Sequence, residues 1–236
     1  MSLTSDMTLS GVLRVRPEAS GLFDDIGIDY ACGGGTTLKN AATSAGLTSK
    51  ELIGLVQGLR PGEGRDWDEA PLAELTRYLV HDHQRLLHGL LPRVRSAIDA
   101  AIESHGNLAL LHRMQDLVES LIVLITDHAA AEERELFPIV EKLEAAASTP
   151  GTEAPHARIS PRVLREFIEH EKVRDRVHTL RDLAAEVLIH RDVEELSMHL
   201  RAFQRHLNMH MHLENNILYP RAIAFENGLR HPAPVY

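Results

Sequence analysis

The sequence predicts an all-α protein in which a small N-terminal helical domain, residues 1–62, precedes a bundle of four long helices, residues 66–228. Apolar residues recur at helical spacing along four long segments. The composition, 44% apolar but only 4% aromatic, is typical of a helical core built on Leu, Ile, Val and Ala. A chain of 236 residues has room for a bundle of ~150–160 residues and one smaller module.

Glycine, proline and capping residues set the expected limits of the elements. Residues 8–60 show two or three short helical patterns around three consecutive glycines, 33–35, and residues 60–64 are a linker. Ser160 and Pro161 are an N-cap and first-turn signal for the third long helix. The remaining signals are a helix start at 68–71, a break at Gly106-Asn107, a second helix to about 147, a loop at 148–156, a turn at 190–192 and a non-helical tail at 231–236.

Two His-x-x-x-Glu pairs lie on the apolar stripes of the second and fourth long helices. They are His128 with Glu132 and His210 with Glu214, and each pair leads to an aromatic-Pro dipeptide that predicts a local helix stop. A spacing of four residues puts imidazole and carboxylate on one helix face. Because both groups occupy core positions, where an unpaired charge is very costly, a compensating partner is required. A third pair, His190 with Glu194, lies in a charged stretch and is interpreted as chance.

The other two long helices each carry one inward histidine. His83 fills the gap in the first apolar stripe, while His81 and His88 fall off it, and His170 fills the gap in the third. A lone histidine on an apolar face is usually a satisfied core residue. Four helices that each supply one inward histidine, two of them with a glutamate, indicate a metal centre instead.

The chemistry of these donors narrows the kind of metal. Nitrogen and oxygen ligands without thiolate exclude an iron–sulfur cluster held by the bundle and disfavour a Cys-type zinc site. Calcium and magnesium prefer more oxygen ligands. The inventory of four His and two Glu is most similar to the ligand set of a carboxylate-bridged di-iron bundle. Histidine predominates and precedes glutamate, which differs from the ferritin-like Glu-x-x-His pattern.

Charge and hydropathy argue against some partners. The net charge of −9 and the lack of a Lys/Arg block disfavour nucleic acid and acidic membrane surfaces. The apolar run near the second ligand helix, residues 121–125, is too short to span a bilayer. Because residues 1–17 lack a signal-peptide apolar segment, the expected location is the cytoplasm.

The only cysteine, Cys32, lies beside the three glycines of the first domain. A sole cysteine cannot form an internal disulfide, so it is either a small buried hydrophobe or an accessible thiol. Exposed main-chain amides in a glycine turn at a helix start would lower the pKa of the thiol and favour reactivity. The residues alone leave the two alternatives about equal.

Motifs along nearly the whole chain resemble the iron–sulfur cluster repair di-iron proteins of the RIC, or ScdA/YtfE, type. In that family a short N-terminal domain precedes a hemerythrin-like bundle. The matching motifs are Gly27-Ile28-Asp29-Tyr30, Cys32-Gly33-Gly34, His128-x-x-x-Glu132-Glu133, Leu136-Phe137-Pro138, Leu213-Glu214-Asn215-Asn216 and Tyr219-Pro220-Arg221. The combination is highly specific.

The resemblance implies a di-iron site and two departures from the family pattern. It implies that His83, His128, His170 and His210 are terminal ligands, that Glu132 and Glu214 bridge two irons, and that an oxo or hydroxo group completes the bridge. The family's first-ligand position is shifted here by about one residue, which keeps His81 as a minor candidate. The family's paired cysteines are Ala31 and Cys32 here, so internal dithiol chemistry is in doubt while a single-thiol role for Cys32 is not.

The function implied is repair of iron–sulfur clusters damaged by nitrosative or oxidative stress, by iron donation or with nitric oxide reduction at the same site. Damaged iron–sulfur proteins and nitric oxide or oxygen species are then the partners, while enzymatic activity and homodimerisation stay open. The alternative is a hemerythrin-like protein that binds or senses oxygen or nitric oxide. The symmetric ligand set and the Cys32-bearing domain favour repair. Glu133 and Glu169 are interpreted as part of a solvated helix face, with guiding cations or orienting imidazoles as the alternative, and His212 as a surface or filler residue.

Overall fold

The computed structural model describes residues 3–62, 65–105, 108–149, 155–190 and 193–230, and for 188–190 the backbone alone. Within these ranges the regular structure is helical, and the only β pairing is an isolated bridge between Thr8 and Thr37. The all-α prediction is confirmed. The expected break at Gly106-Asn107, most of the loop after 149, the 191–192 part of the turn and the tail from 231 lie outside the described residues.

Internal contacts divide the chain into two compact units. The first comprises Met1–Pro71 with Asn208–Arg221, and the second comprises Leu72–Leu207 with Ala222–Tyr236. The first unit therefore includes a segment of the fourth long helix as well as the N-terminal region. The domain limits 1–62 and 66–228 drawn from the sequence stay a prediction.

The N-terminal part of the first unit has four short helices where the sequence predicted two or three. They are α1 (Leu9–Val15), α2 (Ala19–Asp25), α3 (Leu38–Ser44) and α4 (Ser49–Gly58). The hydroxyls of Thr8, Thr37 and Thr48 cap α1, α3 and α4 by accepting a backbone N–H three residues on. Three of the helices are only seven residues long, so each offers too few apolar positions for its period to be counted.

Two of the N-caps also join α1 to α3. Thr8 and Thr37 form the antiparallel bridge, in which Leu9 N–H donates to Thr36 O at 2.8 Å and Leu38 N–H donates to Met7 O at 2.8 Å. Gly27 ends α2 with a positive φ of 74°, and Ile28 N–H closes the turn on Phe23 O at 2.8 Å. The motif that begins at Gly27 thus starts as a helix C-cap.

The long helices occupy the rest of the chain. The first comprises α5 (Leu72–Arg85) and α6 (Leu91–His105), the second α7 (Ala109–Ala131) and α8 (Phe137–Ser148), the third α9 (Ser160–His190), and the fourth α10 (Glu194–Leu213) and α11 (Tyr219–Arg230). In the second unit α7 contacts α6 and α9, and α5 contacts α8. Fully buried side chains of α7, such as Leu111, Val118 and Leu121, form part of its core. Among the described residues, no helix combines the length and the apolarity that crossing a membrane requires.

A π-helical turn interrupts three of the four long helices. The turns are Leu86–Leu90, Glu132–Leu136 and Glu214–Leu218. At the end of each turn, the N–H of Leu91, Phe137 or Tyr219 donates to the backbone carbonyl five residues earlier. The residue that follows is a proline in each case, Pro92, Pro138 or Pro220. Because proline lacks an N–H and its ring crowds the carbonyl four residues earlier, a wider turn relieves the clash. The predicted stop at the aromatic-Pro pairs is therefore wrong, since the helices continue through them.

Two glutamates cap the N-termini of other helices in the second unit. Glu144 on α8 accepts the N–H groups of Leu72 and Ala73 at 2.6 and 3.0 Å, at the start of α5. Glu226 on α11 accepts Ile159 N–H at 3.0 Å and the Ser160 hydroxyl at 2.9 Å, at the start of α9. A carboxylate at a helix N-terminus pairs otherwise unsatisfied N–H groups and favours the helix dipole. These contacts fix where the helices that carry His83 and His170 begin.

Candidate metal centre

Four of the predicted ligands lie together in the second unit. His83, His128, Glu132 and His170 are all at most 6% exposed. Glu132 Oε2 lies 3.3 Å from the Nε2 atoms of both His83 and His128, and His170 Nε2 lies 3.2 Å from His128 Nε2. One ligand atom from each of His83, His128 and Glu132 lies within 4.8 Å of the others. The ring nitrogens and the carboxylate therefore converge at one buried place.

This donor set suits a metal ion. The Nε2 atoms of His128 and His170 face each other, so without a metal one ring must carry a proton there to make a hydrogen bond. A cation held by several imidazole nitrogens and a carboxylate oxygen needs no such proton and compensates the buried carboxylate. The choice of His83 over His81 agrees with burial, because His83 is fully buried and His81 is exposed.

Three further carboxylates contact the outer nitrogens of these histidines. Glu133 Oε1 lies 2.9 Å from His83 Nδ1, while Glu166 Oε2 and Glu169 Oε2 lie 3.1 and 3.3 Å from His128 Nδ1. A carboxylate on Nδ1 keeps the proton there and leaves the Nε2 lone pair for a metal. The hydrogen bond with His128 is the main cause of a lowered pKa at Glu169. Glu133 and Glu169 thus contact imidazoles, whereas the sequence favoured a solvated role.

Sequence reasoning missed Glu166, although a signal for it was present. Helical spacing from Val163 and His170 puts Phe167 on the apolar stripe of the third helix, but Phe167 is 37% exposed and Glu166 is only 7% exposed. Glu166 precedes His170 by four residues and therefore shares its helix face. A register shifted by one residue would have identified it.

The other two predicted ligands, His210 and Glu214, belong to the first unit. His210 Nε2 lies 3.0 Å from Glu214 Oε1, and the two side chains are 3% and 0% exposed. The spacing of four residues along α10 produces this contact, as the sequence predicted. Glu214 is the first residue of the π turn Glu214–Leu218, just as Glu132 is the first residue of Glu132–Leu136. Turns of this kind occur often at functional sites.

His212, interpreted as filler, takes part in a buried network of the first unit. It is 5% exposed, its Nδ1 lies 3.1 Å from Asn216 Nδ2, and its ring stands edge-on to Tyr30 with centroids 5.7 Å apart. Burial lowers the pKa of His212 to about 4, against a smaller opposite effect of a hydrogen bond with the Tyr30 backbone. The imidazole is therefore neutral at physiological pH.

Cys32 is half-buried in the same unit. The N–H groups of Cys32 and Gly33 donate to Asp29 Oδ1 at 3.0 and 3.5 Å, and α3 begins only at Leu38. The glycine turn is thus not a helix start, and an Asp side chain already accepts from two of its amides. That part of the argument for a low thiol pKa was wrong. A role for Cys32 in repair stays a prediction.

Comparison with known proteins agrees with this geometry. Residues 74–168 match the hemerythrin HHE cation binding domain, a range that contains His83, His128 and Glu132. Several relatives bear the name iron-sulfur cluster repair protein YtfE. Those of Pectobacterium carotovorum, Dickeya chrysanthemi and Yersinia pseudotuberculosis serotype O:1b are 28%, 27% and 25% identical over 229, 230 and 229 residues, in each case 94% of this chain and 98% of the relative.

Residues 74–168 are thus similar to the hemerythrin HHE cation binding domain, and the buried histidines and glutamate in this range could hold a metal ion. Similarity to the relatives extends over both the bundle and the N-terminal region. The chain is thus similar, along nearly its whole length, to iron–sulfur cluster repair proteins of the YtfE type.

Proposed function

We propose that this protein repairs iron–sulfur clusters damaged by nitrosative or oxidative stress and holds two iron ions for that purpose. The observation that carries the proposal is the convergence of His83, His128 and His170 Nε2 atoms with Glu132 in a buried place. The repair function comes from the relatives, which match this chain over nearly their whole length. Burying several imidazoles and carboxylates together is costly, and a bound cation would offset that cost.

Each residue has a defined role in the proposal. His83, His128, His170 and His210 would hold the irons as terminal nitrogen ligands, and Glu132 and Glu214 would hold them as bridging carboxylates, with an oxo or hydroxo group as the further bridge. Two carboxylate-bridged irons supply ligand exchange, binding of a diatomic molecule and transfer of one or two electrons. Glu133, Glu166 and Glu169 hold protons on Nδ1 atoms, so that the rings keep their orientation.

The partners follow from the same proposal. Damaged iron–sulfur proteins would be the macromolecular clients, and nitric oxide or oxygen species the small ligands, in the cytoplasm. Nitric oxide reduction by the same centre is part of the proposal, and homodimerisation is tested by sedimentation of the iron-loaded protein. A protein that reversibly binds oxygen or nitric oxide without restoring a damaged cluster would instead match the alternative, a binding or sensing function.

The test begins with the protein purified from iron-replete cells. We expect two irons per chain and the visible absorption of a bridged ferric pair, and restoration of a damaged iron–sulfur protein in a purified assay. Zinc or a single iron in the native preparation would refute the assignment of the centre. Two irons without restoration of the cluster would refute repair and leave the alternative function.

The bridging carboxylates are tested by substitution. Glu132→Ala or Glu214→Ala should lower iron occupancy and lower the thermal stability of iron-loaded protein, because metal binding is coupled to folding. Glu186→Ala is the matched control, since Glu186 is an exposed glutamate of α9. Full occupancy in both bridging variants would contradict their role.

A further inference from the structure

The side chains that follow Glu214 contact a turn of the N-terminal region inside the first unit. Asn215 Nδ2 donates to Ala31 O at 3.1 Å. Asn216 Nδ2 lies within hydrogen-bonding distance of Ala31 O at 3.1 Å and Tyr30 O at 3.3 Å. Two successive side-chain amides of the helix thus share the carbonyl of Ala31. The turn concerned, residues 30–34, is called the clamp turn below.

Glycine 34 is required for this contact. A Cβ added at Gly34 would overlap the carboxamide of Asn216, whose atoms are its three nearest neighbours. A Cβ added at Gly35 would have nothing within 4 Å. The missing side chain of Gly34 therefore lets the Asn216 amide approach the backbone, whereas Gly35 contributes nothing to this contact.

Further contacts hold the same helical segment at its two ends. Asn208 Nδ2 donates to Asp24 Oδ1 at 2.7 Å, and Arg221 Nη1 donates to Trp67 O at 2.9 Å. The contacts with the clamp turn lie between these ends, beside Glu214. The N-terminal region thus holds the segment along the whole of Asn208–Arg221.

The other glutamate pair differs at the corresponding positions. The residues after Glu132 are Glu133 and Arg134, in the place of Asn215 and Asn216. Glu133 contacts the Nδ1 atom of His83 within its own unit, whereas Asn215 contacts a backbone carbonyl of the clamp turn. Side-chain amides therefore follow the glutamate in the π turn that begins at Glu214, but not in the π turn that begins at Glu132. A π turn interrupts the regular α-helical hydrogen-bond pattern, so side-chain contacts beside it can determine where its first carboxylate lies.

We propose that the clamp turn is a positioning element that acts through Asn215 and Asn216 to fix the place of Glu214. The consequence for iron rests on the proposed function, in which Glu214 is a bridging ligand. The effect on the mobility of the polypeptide does not rest on the proposed function, because the contacts of Asn215 and Asn216 with the clamp turn form without a metal. The N-terminal region thereby contributes to the metal centre without supplying a ligand.

The first experiment uses the metal-free full-length protein and the pair Gly34→Ala and Gly35→Ala. Gly34→Ala should raise amide hydrogen exchange in residues 212–218 and the alkylation rate of Cys32 by about tenfold, because the buried hydrogen bonds open more often. Gly35→Ala should match the unmodified protein. Equal exchange and alkylation in both variants would overturn the clamp.

A double variant separates the contact from general damage to the fold. Asn216→Ala removes the carboxamide that a Cβ at residue 34 would meet. Adding Gly34→Ala to Asn216→Ala should therefore increase exchange by less than twofold, a non-additive result. Two effects that simply multiply would show that Gly34 acts elsewhere and would overturn the proposed contact.

The second experiment measures iron. Gly34→Ala and Asn216→Ala should speed chelator extraction of iron by about tenfold and change the visible spectrum, whereas Gly35→Ala should change neither. Faster exchange in the metal-free variants with unchanged extraction and spectrum would overturn the positioning of Glu214. If the unmodified protein holds no iron, the proposed function fails, and the exchange data for residues 212–218 alone decide the inference.

Discussion

The cap that Glu226 provides should make a large and measurable contribution to the stability of the second unit. Glu226 is 3% exposed, and its carboxylate accepts the N–H of Ile159 and the hydroxyl of Ser160 at the start of α9. Glu226→Ala removes both acceptors at once. Because Ile159 is fully buried, water cannot replace the lost partner of its N–H without local opening.

The magnitude follows from the two bonds. A hydrogen bond to a charged group contributes about 1.5–3 kcal/mol, which applies to the buried Ile159 N–H. Ser160 is exposed, so its hydroxyl can turn to water, and the loss there is about 0.5–1 kcal/mol. An ion pair at 3.5 Å with the partly exposed Arg230 adds little. The free energy of unfolding should therefore fall by about 2–4 kcal/mol in Glu226→Ala.

Urea unfolding of the metal-free protein, followed by far-UV circular dichroism, measures this change. Glu171→Ala is the control, because Glu171 is an exposed glutamate of α9, and it should shift stability by less than about 0.5 kcal/mol. Glu226→Gln keeps an acceptor but loses the charge, so it should fall between the two. If Glu226→Ala is as stable as Glu171→Ala, the capping role is refuted.

Two predictions concern residues that the sequence singled out. His83→Ala should disturb the spectrum of the iron-loaded protein while His81→Ala should not, because His83 is buried beside Glu132 and His81 is exposed. The reverse result would show that the ligand is His81, two residues earlier in α5. Cys32→Ser should leave iron content intact yet slow restoration of a damaged cluster protein, because a soft thiolate can accept iron from harder ligands. An unchanged repair rate, or a thiol that resists alkylation in the folded protein, would make Cys32 structural.

Helical period was enough to predict which ligand candidates are buried. A stripe places a side chain by its neighbours three and four residues away, so it distinguished His83 from His81 and put His128 and Glu132 on one face. The helical period did not predict that Phe167 is partly exposed and Glu166 buried, because these adjacent residues both lie near the edge of the apolar stripe. Nothing local in the sequence favours a buried carboxylate there, because its partner, His128, is distant along the chain and adjacent only in the folded structure.

Contacts between distant residues could not be predicted from period or spacing. Glu144 caps a helix that starts 72 residues earlier, and Glu226 caps one that starts 66 residues earlier. Nothing local distinguishes either glutamate from a solvated one. Similarly, Asn215 and Asn216 were part of a family motif, but their contacts with the carbonyls of residues 30 and 31 depend on tertiary structure.

The spacing of the capping glutamates shows what a π turn does for the centre. Glu144 follows Glu132 by twelve residues, and both glutamates contact α5. Glu132 contacts His83, and Glu144 accepts the N–H of Leu72, which lies eleven residues before His83. At roughly 100° per residue, twelve α-helical residues would leave the two glutamates about 120° apart around the helix. The π turn Glu132–Leu136 accommodates one extra residue, which brings the angle to about 20°.

The same interval separates Glu214 from Glu226, and Ile159 precedes His170 by eleven residues. The fourth long helix also has a π turn, Glu214–Leu218, between its two glutamates. A proline that follows the aromatic residue forces the wider turn in both helices, since it cannot donate the next backbone hydrogen bond. Pro138 thus keeps Glu132, beside His83, and Glu144, at the helix cap, on one face of the second long helix, and this explains why the Phe137-Pro138 pair lies between these two glutamates.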